Sequence, residues 1–492
     1  MSATATTTVA APAAASPPAI IRLDDYPYRT SNQGDDGAKS SKSQSPTSPE
    51  LPEWAATTAP PDPENVVEAS RLADADVPDG GYGWVVVVAG AVLAWWFIGT
   101  SYCWGIIQDA LVQQGVSTAS TLAFVGSLTV ACNAIFAPVS SRVLRWIGSR
   151  PTAFIGVSLL SGGQIISGFC THSVPGLFVC TGVIMGAGIS LCYIVATTIT
   201  AQYFSRKRGV ANGIIYAGGG LGGACTSLAM NKLIEEVGPA WTFRVTGLVT
   251  LGTAMPAVFF LKERTDIQSK RFIDWRLVKD FRFIFIFLAG AIGTFPLFVP
   301  PFFLPLYSNS LGLSSGTGAA LVAGFNFASA LGRVGCGFMA DLIGPLNTLF
   351  VSFALTAISM LAVWPVSESI APLAVFVVIN GAANGGFFST MPTVVSNVFG
   401  SARMAVAMAM IVTGWTGGYL LLSGLTVSSS QGDRGVAGAP IAGFMLNAYG
   451  GEEAGFQAYR PAIFYAGSMA LAAAGLTAFV RLRINANLTG KL

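Results

Sequence analysis

Charged side chains are scarce in this chain. Only 10% of its 492 residues are Asp, Glu, Lys or Arg, whereas 52% are hydrophobic, and the mean hydropathy is +0.60. A soluble domain carries about 25% charged residues. A soluble fold is therefore excluded, and a membrane protein with many spans remains. The net charge of +3 is too small to argue for a nucleic-acid partner. There is a single histidine, His172, and it reads as a solvated loop residue. The seven cysteines fall in or beside apolar runs and never as CxxC, so they read as small apolar side chains rather than ligands. No Gly-Lys-Ser/Thr follows Gly218-Gly219-Gly220, so a nucleotide-binding P-loop is not indicated. No catalytic constellation stands out either, and no metal or other cofactor is implied.

Residues 1–78 carry eleven acidic and five basic side chains among Ala, Ser, Thr and Pro. Such a segment cannot bury enough apolar surface to order itself, and it lacks the pattern of a secretory or mitochondrial leader. It is expected to be a disordered cytosolic tail.

From Trp84 onward, apolar runs of 18–25 residues alternate with short polar breaks. About 20 helical residues cross the ~30 Å hydrocarbon core. The expected spans are 84–107, 119–141, 151–171, 176–201, 208–231, 242–261, 282–305, 317–339, 346–365, 371–397, 403–425 and 460–481. They form an N-terminal half (79–261) and a C-terminal half (282–483), joined by a basic connector (262–281) and followed by a short tail (484–492). The expected fold class is thus an all-α membrane protein with twelve transmembrane helices in two six-helix pseudo-repeat halves.

Basic residues set the expected orientation. One side collects Arg142, Arg145 and Arg150, then Arg206, Lys207 and Arg208, seven residues from Lys262 to Arg282, Arg403, and Arg481, Arg483 and Lys491. The other side carries only Lys232, Arg244, Arg434 and Arg460. Seventeen against four places both termini in the cytosol, and the Gly-rich loop 426–459 outside. The halves also match weakly. A shift of 195 lays Gly219, Gly222 and Gly223 on Gly414, Gly417 and Gly418, and a shift of 196 lays Ile147-Gly148 on Ile343-Gly344. Parallel repeats of this kind build transporters whose ligand sits between the halves near the membrane midplane.

Within the last two-thirds of the chain, the one charge placed well inside an expected span is Arg333, in the run Leu321-Val322-Ala323-Gly324-Phe325-Asn326-Phe327-Ala328-Ser329-Ala330-Leu331-Gly332-Arg333. An arginine at the bilayer centre costs about 3 kcal/mol on insertion scales. A polar cavity that holds an anion would offset that cost. Pairing with Asp341, or reaching the headgroups by snorkelling, would also offset it. Polar residues that could share such a cavity are Tyr102, Asp109, Asn133, Asn212, Tyr216, Asn326, Ser329 and Asn384, with Phe387 beside them. Hydrogen bonding between helices is the alternative role for the polar ones.

Three segments carry a family resemblance. Asp79-Gly80-Gly81-Tyr82-Gly83-Trp84 opens the first span. Tyr203-Phe204-Ser205-Arg206-Lys207-Arg208-Gly209-Val210-Ala211-Asn212-Gly213 opens the fifth. Gly381-Ala382-Ala383-Asn384-Gly385-Gly386 leads to Met391-Pro392-Thr393-Val394-Val395 in the tenth. Together they resemble the fungal members of the monocarboxylate porter family of the major facilitator superfamily, over about residues 78–483. Gly337-Phe338-Met339-Ala340-Asp341-Leu342-Ile343-Gly344 is similar to the superfamily's gate loop, whereas Ser141 and Arg145 replace its Gly and Asp in the first half.

The resemblance implies alternating-access transport of a small organic anion across the plasma membrane. Arg333 would hold the carboxylate, with Asn326, Ser329, Tyr102, Asn384 and Phe387 around it. Asp79, Trp84, Arg206, Arg208 and Asp341 would serve the gates. Animal members of that family carry protons with an Asp at the Ser329 position and a Lys in the first helix. Neither is present here, so proton coupling is left open. Carriage of a vitamin or secondary metabolite, or a sensor built on a transporter fold, are the other readings.

Overall fold

The structure, a computed structural model, describes residues 77, 79–117, 119–264, 273–421 and 455–484. The remainder of the expected N-terminal tail, connector residues 265–272, most of the loop 426–459 and the C-terminal tail lie outside these residues.

Among the described residues, twelve segments of 18 or more residues are helical. They are α1 (Gly83–Tyr102), α2 (Ala119–Ile147), α3 (Ser149–Ser167), α4 (Val174–Tyr203), α5 and α6 (the two limbs of Arg208–Phe260), α7 (Phe281–Ser310), α8 (Ser315–Ile343), α9 (Pro345–Val366), α10 (Ile370–Phe399), α11 (Met404–Leu421) and α12 (Arg460–Ile484). The limbs of Arg208–Phe260 part at Gly238, where φ is +77° and Pro239 follows. One-residue turns at Gly148 and Gly344, with φ of +87° and +94°, link α2 to α3 and α8 to α9. The left-handed region is costly for any residue with a Cβ, so the two glycines that the shift of 196 superimposes mark the same turn in both halves.

Three details depart from the expected spans. The first span breaks at Cys103, and a further helix, Trp104–Gln113, continues beyond it. The break is held on both sides: the Cys103 thiol lies 3.6 Å from the Gly223 carbonyl, and Trp104 Nε1 donates to Leu122 O. In α4, residues Phe178–Met185 are π-helical. There the Thr129 hydroxyl of α2 donates to the Thr181 carbonyl, at 3.0 Å. Ser359–Val363 in α9 is a second π-helical segment.

Packing is uneven along the bundle axis. At the end holding Phe204, Leu144, Phe399 and Val480, one apolar core runs through both halves. At the other end each half has its own cluster, around Cys103, Leu122 and Phe243 in one and Phe303, Trp364 and Tyr459 in the other. The halves therefore meet at the end bearing the glycine turns, which is the end with the basic surplus. Helix pairs α5–α8 and α2–α11 make most of that contact.

Candidate functional site

Arg333 lies ten residues before the end of α8, about 15 Å along the axis. It is only 1% exposed. The neighbours that bury it are small or come from backbone. Gly385 of α10 passes so close that an added Cβ would stand 3.1 Å from Arg333 Cγ. Gly213 of α5 lies against the Arg333 carbonyl in the same way, at 2.6 Å. Replacing either glycine would push the helices apart at the guanidinium.

The guanidinium bonds across the two halves. Nη1 donates to the Tyr216 carbonyl of α5 at 2.7 Å, and Nη2 donates to the Tyr102 hydroxyl of α1 at 2.9 Å. Asp341 is not its partner. It lies two helical turns away, and its carboxylate accepts from other groups. Arg333 is thus held by two neutral oxygens, and its Nε has no acceptor among the described residues.

An aromatic cluster surrounds the charge. The guanidinium carbon is 5.5 Å from the Phe388 ring centre and 5.9 Å from that of Tyr102. Trp415 stands 6.3 Å from Phe388, 5.2 Å from Phe387 and 6.2 Å from Tyr193. Tyr193 lies 6.3 Å from Tyr216 and 6.0 Å from Phe97. Trp415 Nε1, like Arg333 Nε, is buried without an acceptor among the described residues. Two buried donors therefore border the same ring, Phe388.

The other candidates take varied places. Ser329 and Asn326 precede Arg333 by about one and two turns on the same side of α8. Asn384 donates to Leu297 O of α7 at 2.7 Å, a bond within the C-terminal half. Phe387 packs on Phe353 and Trp415, while its neighbour Phe388 faces Arg333. Asn212 accepts from Thr200 and donates to Thr393 of α10, joining the halves. Asn133 is buried on α2, and its carbonyl accepts from Ser190. His172 is exposed between α3 and α4, and the Asp109 side chain lies outside the described ones. Sequence reasoning missed Tyr193, Phe388 and Trp415. The signal was present in aromatics set beside glycines, Gly386-Phe387-Phe388 and Gly414-Trp415.

At the joined end, two carboxylates grip the backbone that leads into α5. Asp79 sits at φ +47°, a left-handed conformation that Asp tolerates better than most residues. Its Oδ1 accepts N–H groups of Ser205, Arg206 and Lys207 at 2.7, 2.9 and 3.3 Å. Trp84 follows, its ring 5.0 Å from Phe204. Asp341 comes from the opposite half, and its two oxygens accept from Gly209 and Val210 at 2.7 and 2.8 Å. The first N–H groups of a helix lack internal partners and carry partial positive charge, so a carboxylate there is favourable. Arg208 is buried, donates to the Phe204 and Ala201 carbonyls and reaches Asn397 of α10. Arg206 is exposed and contributes its backbone N–H to Asp79.

The helix order, the paired halves and the contacts at one end match a known family. Residues 84–423 match the family model of the Major Facilitator Superfamily. The chain belongs to that superfamily. This facilitator is 29% identical over 398 residues, 79% of its length and 77% of the relative's, to the "Aspyridones efflux protein apdF" of Emericella nidulans. It is 26% identical to "MFS transporter asaE" of Aspergillus flavus, over 82% of this chain and 87% of that one. In structure it resembles the human organic anion transporter MFSD10 (TM-score 0.63, 14% identity, 81% of this chain and 100% of that one). It also resembles the proton:xylose symporter XylE (TM-score 0.62, 13% identity, 80% and 94%). At such identities the structures speak for the fold alone. The protein is a multi-pass membrane transporter and not an enzyme.

Proposed function

We propose that this facilitator carries an organic anion, whose carboxylate or similar planar oxyanion is met by Arg333. One observation carries the reading: a guanidinium buried near the middle of a membrane helix and held, among the described residues, only by neutral oxygens. Hydrogen bonds from arginine to a carboxylate are roughly twice as strong as neutral ones. An arriving anion therefore competes well for the donors now given to Tyr102 and Tyr216. Both partners belong to the N-terminal half and Arg333 to the C-terminal half, so that exchange loosens a tie between halves. Binding and alternating access are coupled through one side chain.

Two findings favour a larger, unsaturated anion over a very small one. The aromatic cluster offers ring faces beside the charge. Two relatives bear the names of efflux proteins, for aspyridones and for agnestins. Export of a metabolite with an acidic group is the form of the proposal that fits both. A panel of labelled aliphatic and aromatic acids, offered to purified protein in liposomes with and without a pH gradient, tests it. Saturable flux of an acid is expected, without stoichiometric dependence on the gradient, because Ser329 and a first helix without Lys stand where the animal members of the resembled porter family carry protons. Flux of neutral solutes only would refute it.

The basic surplus at the joined end supports an orientation with that end and both termini in the cytosol, and the plasma membrane is the proposed site. The sequence Asn487-Leu488-Thr489 would then stay unglycosylated in a eukaryotic host, as judged by unchanged mobility after glycosidase treatment. A glycan on Asn487 reverses the orientation.

A further inference from the structure

A second cluster of charge lies well away from Arg333, where α6 leaves the bundle. Three successive carbonyls there are each taken by a side chain from a different segment. The Tyr82 hydroxyl, just before α1, donates to Phe260 O at 3.0 Å; Arg150 Nε of α3 donates to Leu261 O; and the Tyr203 hydroxyl at the end of α4 donates to Lys262 O at 2.7 Å. Gln202 then accepts the Arg264 N–H at 3.0 Å. These bonds fix the chain from 260 to 264 as one wall of a cleft of about 640 Å³, lined by Tyr82, Arg150, Tyr203, Lys262, Glu263 and Arg264.

The cleft is electropositive. It holds three cations and one carboxylate, and the carboxylate is occupied: Glu263 Oε1 accepts both the N–H, at 2.8 Å, and the hydroxyl of Ser149 at the start of α3. Among the described residues Arg150 donates only through Nε, and the Lys262 ammonium makes no hydrogen bond or ion pair. The volume falls in the range of small-ligand sites, about 300–1,000 Å³. Beside it, Phe259 and Phe260 are exposed, and Trp146, 82% exposed, stands at the same end of the bundle as an interfacial aromatic would.

We propose that this cleft binds a multiply charged phosphate group presented at the membrane surface. Arg150 would supply planar donors, Lys262 a mobile point charge, Arg264, whose Nη1 already donates to the Gln202 carbonyl at 3.4 Å, additional positive charge, and Tyr82 and Tyr203 the apolar sides. Basic pockets between transmembrane helices at the cytosolic face suit anionic headgroups. The exposed phenylalanines next to the cleft favour a lipid as the bearer, and a phosphoinositide has the required charge. The site touches α1, α3, α4 and α6 only, so it belongs to the N-terminal half and does not depend on the role given to Arg333.

The test uses the full purified chain in lipid nanodiscs of phosphatidylcholine, with and without a phosphoinositide, and separately with soluble inositol trisphosphate in detergent. Bound lipid is counted by native mass spectrometry, and stability is followed by thermal unfolding. The parent is expected to retain the phosphoinositide selectively and to gain stability from it, with an effect that fades in high salt. Lys262→Gln, which removes no side-chain bond among the described residues, should weaken retention several-fold, and Lys262→Gln with Arg264→Gln at least tenfold. Arg333→Ala should bind as the parent does. Binding of soluble inositol trisphosphate with the same dependence on Lys262 and Arg264, but no preference for the lipid, supports the site and assigns it to a soluble phosphate. Equal retention by parent and double variant, or no preference for either phosphate over phosphatidylcholine, overturns it.

Discussion

Arg333→Ala is expected to abolish anion transport while the protein still reaches the membrane. The substitution removes a buried charge whose insertion is costly, so synthesis and folding are not endangered by an orphaned partner: the atoms released are a tyrosine hydroxyl and a backbone carbonyl, both neutral. What is lost is the fork that meets the anion. Loss of two charge-assisted bonds is worth roughly 2 kcal/mol or more, about thirtyfold in affinity. Arg333→Lys keeps the charge but not the planar geometry, and should fall between the parent and the alanine variant. Equilibrium binding and liposome flux, measured on the same preparation, separate the two effects. Unchanged flux of an organic anion through Arg333→Ala would remove the residue from the site.

Gly337→Val is expected to act just as strongly without touching the ligand. Gly337 of α8 faces Gly209 of α5 so closely that any Cβ on Gly337 would collide with the Gly209 carbonyl oxygen and stand 2.9 Å from its carbon. The obstacle is backbone, so no rotamer change relieves it. Overpacking of this kind costs about 1–3 kcal/mol. Here the cost falls on the joined state of the two halves rather than on the fold of either half. The same approach is what lets Asp341 reach the N–H groups of Gly209 and Val210. The variant should therefore populate states open at that end, and transport should fall at least tenfold. Ala340, 2% exposed beside the same contact, can report this as a cysteine. In the Gly337→Val background, Ala340→Cys should react much faster with a membrane-impermeant maleimide applied from that side. Slow labelling together with retained transport would show that the contact is not a gate.

Much of this architecture is readable from local sequence, because local physics sets it. Spans follow from apolar length, and the turns at Gly148 and Gly344 from a conformation that disfavours other residues. Arg333 is conspicuous in the sequence for the same reason that it matters in the structure: its burial has to be offset by something. What sequence could not supply is the partner. A backbone carbonyl, that of Tyr216, carries no residue signature, and Tyr102 meets Arg333 only after α1 has packed on α5 and α5 on α8. The π-helical stretch in α4 was equally hidden. Its own sequence, Phe178-Val179-Cys180-Thr181-Gly182-Val183-Ile184-Met185, is uniformly apolar save for Thr181, and the hydroxyl that takes its carbonyl comes from α2. Phe387 and Phe388 differ by one position, about 100° around the helix, and only the packing of α10 against α8 decides which of them faces the charge.

The central claim is that the ligand is recognised by its charge at Arg333. The most direct measurement compares the affinity of the purified parent protein for a transported acid with its affinity for the matching primary amide, which keeps nearly the same shape but loses the charge and replaces one acceptor oxygen with an NH2 donor. The account predicts that the acid binds at least about thirtyfold more tightly, and that Arg333→Ala reduces that preference to near unity. Equal binding of acid and amide by the parent, or a preference that survives in Arg333→Ala, would contradict it.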